Sequence, residues 1–292
     1  MKIEVPIVNA FIDGEQGGNP AGVVINAERF TSEEKQRIAA AVGLSETAFV
    51  SPSARADFKL EFFTPSRQIA HCGHATVAAF SYLHQLGLLS TANTSKETID
   101  GCRDIHLEGD QAYMEQLAPR YEVLSHRQRE FLLESLGLSE SDLLPGAEPQ
   151  IVNTGNSFVV IGVKDAKTLA RLAPDQRLIR ELSESLELIG LYVFCLETEV
   201  AGRQASTRMF APLYGIEEEA ATGMAAGPLA CYLYNLSYRR ERHFEIEQGY
   251  MMHPPSPSLL NVTLQLNSGG DITGLMAGGR ALVSETRAVD LV

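Results

Sequence analysis

The chain states one pattern twice, and that repetition narrows the folds open to it. In the first half, Phe62-Phe63-Thr64-Pro65 is followed by Cys72-Gly73-His74-Ala75-Thr76 and an apolar run ending Phe80-Ser81-Tyr82-Leu83. In the second half, Met209-Phe210-Ala211-Pro212 is followed by Ala221-Thr222-Gly223-Met224-Ala225 and an apolar run ending Ala230-Cys231-Tyr232-Leu233. Each copy reads as a strand, a turn at proline, a loop, and a glycine that opens a helix of small residues. A repeat this long predicts two similar halves facing each other. Two helix N-termini then meet at one cleft, and their free N–H groups and positive dipole ends suit a small carboxylate.

The remaining pattern fills in around these units. Ile3 to Phe11 alternates as a strand, Gly17 to Gly22 reads as a turn, and Val23-Val24-Ile25 as a short strand. Thr31 or Ser32 caps a helix from Ser32 to Val42, which Gly43 stops. Strands are predicted at Thr47–Ser51 and Asp57–Thr64, a helix from His74 to Leu86, and short β pieces from Glu97 to Leu117. Further on come helices Ser125–Leu136, Pro174–Leu186 and Thr222–Leu236, with strands around Phe158–Ile161, Leu188–Cys195 and Gln204–Ala211. From His243 the chain alternates as a meander, with turns at Ser268-Gly269-Gly270 and Gly278-Gly279. Because the elements mix rather than alternate strictly, the fold class is α+β, with a boundary near Ala118-Pro119-Arg120.

Composition excludes several function classes. A length of 292 residues suits two domains of ordinary size. A formal net charge of -13 argues against non-specific nucleic-acid binding. Cys72, Cys102, Cys195 and Cys231 show no CxxC spacing and read as reduced thiols. The N-terminal residues form no signal-peptide core and no apolar run approaches a membrane span, so the cytoplasm is the expected location. The glycine-rich pieces match no nucleotide-binding loop, and no histidine pair on a helix face suggests a metal.

Several side chains could carry chemistry. Glu46 lies between a helix stop and a strand start, where it is either a solvated loop glutamate or a carboxylate aimed at a strand mouth. His74 sits in the first turn of its helix, where a cation is disfavoured; a neutral imidazole there either exchanges a proton or bonds a nearby carbonyl. Cys72 precedes the same helix, where a thiolate would be stabilised and the thiol made reactive. The matching stretch, Glu219 to Gly223, holds no cysteine, and Cys231 falls two helical turns later, so Cys72 reads as a small packed hydrophobe rather than half of a two-thiol racemase. Glu217-Glu218-Glu219 reads as a solvated charge run that leads into the second helix start.

Taken together, these motifs resemble the PhzF-like, phenazine-biosynthesis family, relatives of diaminopimelate epimerase. The resemblance covers nearly the whole chain. It rests on Gly18-Asn19-Pro20-Ala21-Gly22-Val23-Val24, Leu44-Ser45-Glu46-Thr47-Ala48-Phe49, Phe63-Thr64-Pro65, Cys72-Gly73-His74-Ala75-Thr76, Phe210-Ala211-Pro212 and Ala221-Thr222-Gly223. It implies two pseudo-symmetric halves, each a curled β-sheet or barrel around a central helix. Residues 1–118 with 279–292 would form one lobe and residues 119–278 the other, with the active site in the cleft between them. It implies a homodimer working without metal or organic cofactor, with Glu46 as catalytic carboxylate and His74 beside it.

The expected activity is therefore that of a cofactor-independent isomerase acting on a small carboxylate. Backbone N–H groups at Gly73, His74, Gly223 and Met224 would hold the carboxylate, with Asn19 and Thr222 among the substrate contacts. Glu46, its pKa raised by burial, would take a proton from carbon and return it elsewhere on the same face. The family pattern at the second helix start is Asp-Pro-Ala-Thr-Gly-Ser (or Asn), whereas this chain has Glu219-Ala220-Ala221-Thr222-Gly223-Met224. Glu219 would carry the acid's role with one more methylene, and Met224 puts an apolar group where a polar one would touch ligand. Two alternatives stand beside this reading: a weakened homologue that only binds a small acid or a protein partner, and a two-base amino-acid epimerase.

Overall fold

The structure is a computed structural model that describes residues 2–236 and 241–291. Val292, at the end of the expected returning segment, lies outside them. In chain order the first elements are β1 (Lys2–Ala10), β2 (Asn19–Val24), α1 (Ser32–Val42), β3 (Thr47–Pro52), β4 (Phe58–Phe63), β5 (Gln68–Ile69), α2 (Gly73–Gln85), β6 (Asn93–Thr98), β7 (Gly101–Glu108) and β8 (Gln111–Leu117). There follow β9 (Arg120–Val123), α3 (His126–Leu136), β10 (Gln150–Asn153), β11 (Ser157–Gly162), α4 (Ala166–Ala170), α5 (Gln176–Ser185), β12 (Gly190–Cys195) and β13 (Ala205–Ala211). The last are β14 (Ile216–Glu219), α6 (Gly223–Leu236), β15 (His243–Gln248), β16 (Ser258–Leu266) and β17 (Ile272–Asp290). Parallel and antiparallel pairings mix throughout, which makes the fold α+β. One compact unit runs to Glu115 and takes in the chain again from Gly278; the other is Gln116–Ala277.

In the first unit the strands close on themselves. β1 pairs with β2, β2 with β3, β3 with β4, β4 with β6, β6 with β7, β7 with β8, β8 with β17, and β17 returns to β1. This eight-stranded ring leaves no open edge. Helix α2 explains why a ring is needed. Its residues Gly73 to Ser81 and Leu83 are all buried, so along most of its length it needs walls on all sides; β1, β2 and β3 are among them. The amide of Gln85 and the hydroxyl of Ser81 both donate to the Ala281 carbonyl, which ties the helix to the closing strand. Helix α1 differs: Lys35, Ile38, Ala39 and Val42 are buried, and a capping box between Thr31 and Glu34 starts it.

In the second unit β9, β10, β11, β12, β13, β15 and β16 pair in that succession, and β14 folds back on β13. Helix α6 is buried along most of its length and packs on β10, β11 and β16. Helices α3 and α5 lay their leucine faces into a separate cluster with Val159, Leu191 and Phe210.

Some local expectations change. Asn19-Pro20 belongs to β2 rather than to a turn, because Asn19 stands opposite Ala10 in the β1–β2 ladder. The stretch after Ala118 starts a strand, β9, before α3 begins. Gly278-Gly279 lies within β17 and makes no turn. The physical reason is a close approach of main chains: a Cβ at Gly278 would stand 2.1 Å from the Ala112 carbonyl oxygen and 2.6 Å from the Tyr113 Cα. Gly278→Ala is expected to lower stability by about 2 kcal/mol or more, the scale of overpacking a site that cannot relax. The urea midpoint, at unchanged slope, measures it.

Candidate active site

Glu46 is carried to its place by two local stops. Gly43, at φ 69, ends α1 in the left-handed conformation, and β3 begins at Thr47 in parallel register with Gly22. The Glu46 carbonyl accepts from the Gly22 N–H at 3.2 Å, which fixes the junction. A Cβ at Gly22 would stand 2.9 Å from the Thr47 Oγ1, so a larger residue there would force Thr47 to shift. The carboxylate that results is 7% exposed, not a solvated loop group.

His74 is buried in the first turn of α2, and its Nε2 lies 3.3 Å from Glu46 Oε2. Its other nitrogen, Nδ1, lies 3.5 Å from the Cys72 Sγ. Acid, imidazole and thiol thus form a row with the ring in the middle, at an ion-pair distance from the acid and a hydrogen-bond distance from the thiol. Cys72 is the residue at which α2 begins. Asn19, at the head of β2, is buried in the same unit, and Gly73 is buried as the first helical residue.

Burial outweighs the helix end at Cys72. Desolvation pushes its thiol up, Glu46 adds to that, and the His74 ring only opposes it. The reactive thiol expected from position alone is therefore replaced by a thiol that holds its proton. Cys231 is 0% exposed within α6, with its thiol pushed up to about 12, and Cys195 is pushed up to about 11. Cys102 is exposed. Iodoacetamide should accordingly modify Cys102 first and leave Cys72, Cys195 and Cys231 unmodified until the protein unfolds. Peptide mass spectrometry after timed quenching reads this, and early labelling of Cys72 would contradict it.

Glu46, Cys72 and His74 each offer a donor atom, all within 4.8 Å of one another, and among the described residues they are the set that could hold an ion. His74 turns one nitrogen toward the acid and the other toward the thiol, so an ion held there would take one of them.

In the second unit the acidic run is not uniformly solvated. Glu217 is exposed, but Glu218 makes two hydrogen bonds of 2.8 Å with Arg208 across the β13–β14 hairpin. Glu219, half-buried, accepts from the Thr222 hydroxyl at the start of α6. Gln248, which the sequence did not single out, organises this helix start. Its Oε1 accepts from the Thr222 N–H at 3.1 Å and from the Tyr192 hydroxyl at 2.9 Å. Its Nε2 donates to the Glu219 carbonyl at 2.7 Å and to Thr222 Oγ1 at 3.1 Å. The signal available was a glutamine at 1% exposure closing a strand, visible only once β15 is placed. The Gly223 carbonyl accepts from Gln116 at 2.9 Å, and the Met224 sulfur takes the Asn156 amide at 3.5 Å.

With this geometry in place, the comparisons with known proteins agree with one another. A family model described as phenazine biosynthesis-like protein matches residues 8–286. An uncharacterized isomerase of Clostridium acetobutylicum is 38% identical over 233 residues, 77% of this chain and 77% of that protein. The trans-2,3-dihydro-3-hydroxyanthranilate isomerase of Pseudomonas chlororaphis is 32% identical over 255 residues, 83% of this chain and 81% of that protein. The crystal structure of a Bacillus anthracis phenazine biosynthesis protein of the PhzF family superposes with a TM-score of 0.90 at 28% identity, covering 100% of both chains. Among the described residues no helix is long and apolar enough to cross a membrane.

Proposed function

The chain belongs to the phenazine biosynthesis-like family and is an isomerase, and we propose that it moves a proton on a small carboxylate-bearing substrate with Glu46 as acid and base. The observation that carries this reading is the buried Glu46–His74 contact at 3.3 Å. In a buried site the carboxylate is poorly hydrated, which strengthens it as a base toward a carbon-bound proton. His74 stands beside Glu46 while the acid takes up and gives back its proton, and the start of α2 at Gly73 offers N–H groups to the negative charge that develops on the substrate. Glu46 then redelivers the proton to another carbon of the same face, so the product is a positional isomer. In the second unit the reading assigns Glu219 a supporting acid/base role, and Thr222, Gly223 and Met224 contacts to substrate. The Met224 sulfur favours a ligand with an apolar portion there. No metal or organic cofactor enters this scheme, and a homodimer is its expected assembly.

A binding-only homologue is the second reading, favoured by one observation: Glu219 and Met224 are both engaged by the protein's own Thr222 and Asn156. Proton exchange in deuterated buffer separates the two. Over a panel of small amino and hydroxy-dienoic acids, NMR should show deuterium entering a ligand carbon with the wild type. Glu46→Gln should lower that rate by about 100-fold or more, the usual contribution of a positioned general base. Equal exchange by Glu46→Gln would remove Glu46 from the chemistry. Ligand signals that shift with both proteins while no deuterium enters would support the binding reading.

A further inference from the structure

Lys96 is a buried cation in the first unit that the proposed chemistry does not use. It sits on β6 at 0% exposure, with the half-buried Ser95 and Glu97 on either side. Among the described residues its Nζ is met by three neutral groups: Thr76 Oγ1 at 2.7 Å, Met114 Sδ at 3.3 Å and His71 Nδ1 at 3.4 Å. The Phe62 ring lies 5.5 Å away, where its face attracts a cation. An ammonium has three N–H groups, and three acceptors surround it. Burial and the neighbouring cation hold His71 well below its ordinary range, so its ring is neutral and free to accept.

The Lys96 contact leads directly to the start of α2. The Thr76 hydroxyl that accepts from Lys96 donates its own hydrogen to the Cys72 carbonyl at 2.6 Å. The Thr76 N–H reaches the same carbonyl at 3.2 Å. That carbonyl belongs to the peptide linking Cys72 to Gly73, next to His74. We infer that Lys96 is a positioning residue for the Glu46–His74 pair: its ammonium orients the Thr76 hydroxyl, and Thr76 in turn fixes the Cys72–Gly73 peptide from which His74 projects. The inference rests on His74 acting with Glu46.

The arrangement is also a switch. A hydroxyl has one hydrogen. While Lys96 is an ammonium it can only donate to Thr76, so that hydrogen is left for Cys72. Once Lys96 loses its proton, its lone pair competes for the same hydrogen and the second bond to the Cys72 carbonyl is released. The charged groups facing Lys96 are Arg103, opposite it on β7, and Asp100 in the β6–β7 turn, with the titratable His71 and Cys72 on the α2 side. Burial, with Arg103 adding to it, brings Lys96 down to about 7, with Asp100 opposing the shift, so the change falls near neutrality. The unfolded chain keeps this proton up to about 10.4. Between the two values the unfolded state binds more protons, and stability relative to Lys96→Met rises with pH.

The test needs no substrate. The 13Cε resonance of Lys96 should titrate near pH 7, and the Gly73 15N shift, which senses bonding at the Cys72 carbonyl, should carry an inflection at the same midpoint. Thr76→Val should leave the Lys96 titration and abolish that inflection, Thr76→Ser should restore it, and Lys96→Met should lack it. A Gly73 curve with no component at the Lys96 midpoint, or one unchanged in Thr76→Val, would overturn the inference. Should Lys96→Met fail to fold, the Thr76 pair decides the matter with the native lysine in place. Because deuterium exchange into ligand is a separate readout, losing this inference leaves the proton-transfer reading standing, and losing that reading leaves these shifts unaltered.

Discussion

A helix buried on every side along most of its length has to be walled in, and the first unit is built around that requirement. Helix α2 presents alanine, valine, phenylalanine and leucine in all directions, so an open sheet covering one side would leave the rest in water. A ring of strands meets the demand and settles the main-chain hydrogen bonds along its edges at once. The start of α2 and the Glu46 junction inherit their burial from this enclosure, and much of the candidate chemistry follows from burial. The same residues on an exposed helix would be an ordinary histidine and an ordinary glutamate.

Burial acts on each group according to its charge. At Cys72 it keeps a proton on and silences a thiol that position alone would activate. At Lys96 it works toward taking a proton off. Around Glu46 and His74 it leaves an acid and a base in contact with little water to separate them. The sign of each effect comes from which form bears charge, and one apolar enclosure yields all of them without any unusual residue.

What could be read from sequence was local, and what could not was set by distant pairing. The α1 and α3 boundaries were legible because Thr31 with Glu34 and Ser125 with Gln128 form capping boxes, and Gly43 and Gly137 close the helices in the left-handed conformation. Asn19-Pro20 misled because its strand identity comes from β1, and Gly278-Gly279 because a strand passing close to β8 uses glycine as a turn does. Glu46 needed the family resemblance: its burial depends on Gly22, far back in the chain, pairing in parallel with Thr47. Lys96 gave no signal, since a lysine flanked by Ser95 and Glu97 looks solvated until β4, β7 and β8 surround it.

The strand that closes the ring also orders events in time. β17 is synthesised long after β1, and the two pair, Lys2 standing opposite Asp290. On the ribosome, β1 lacks this neighbour until all the strands and helices between the two have emerged. Through that interval α2 has an incomplete wall and β1 an unpaired edge, the condition in which newborn chains associate with one another or with chaperones. The Glu46–His74 pair can reach its dry surroundings only after that closure, so an aborted chain lacking β17 would carry every residue of the pair and still not the environment that makes it a site.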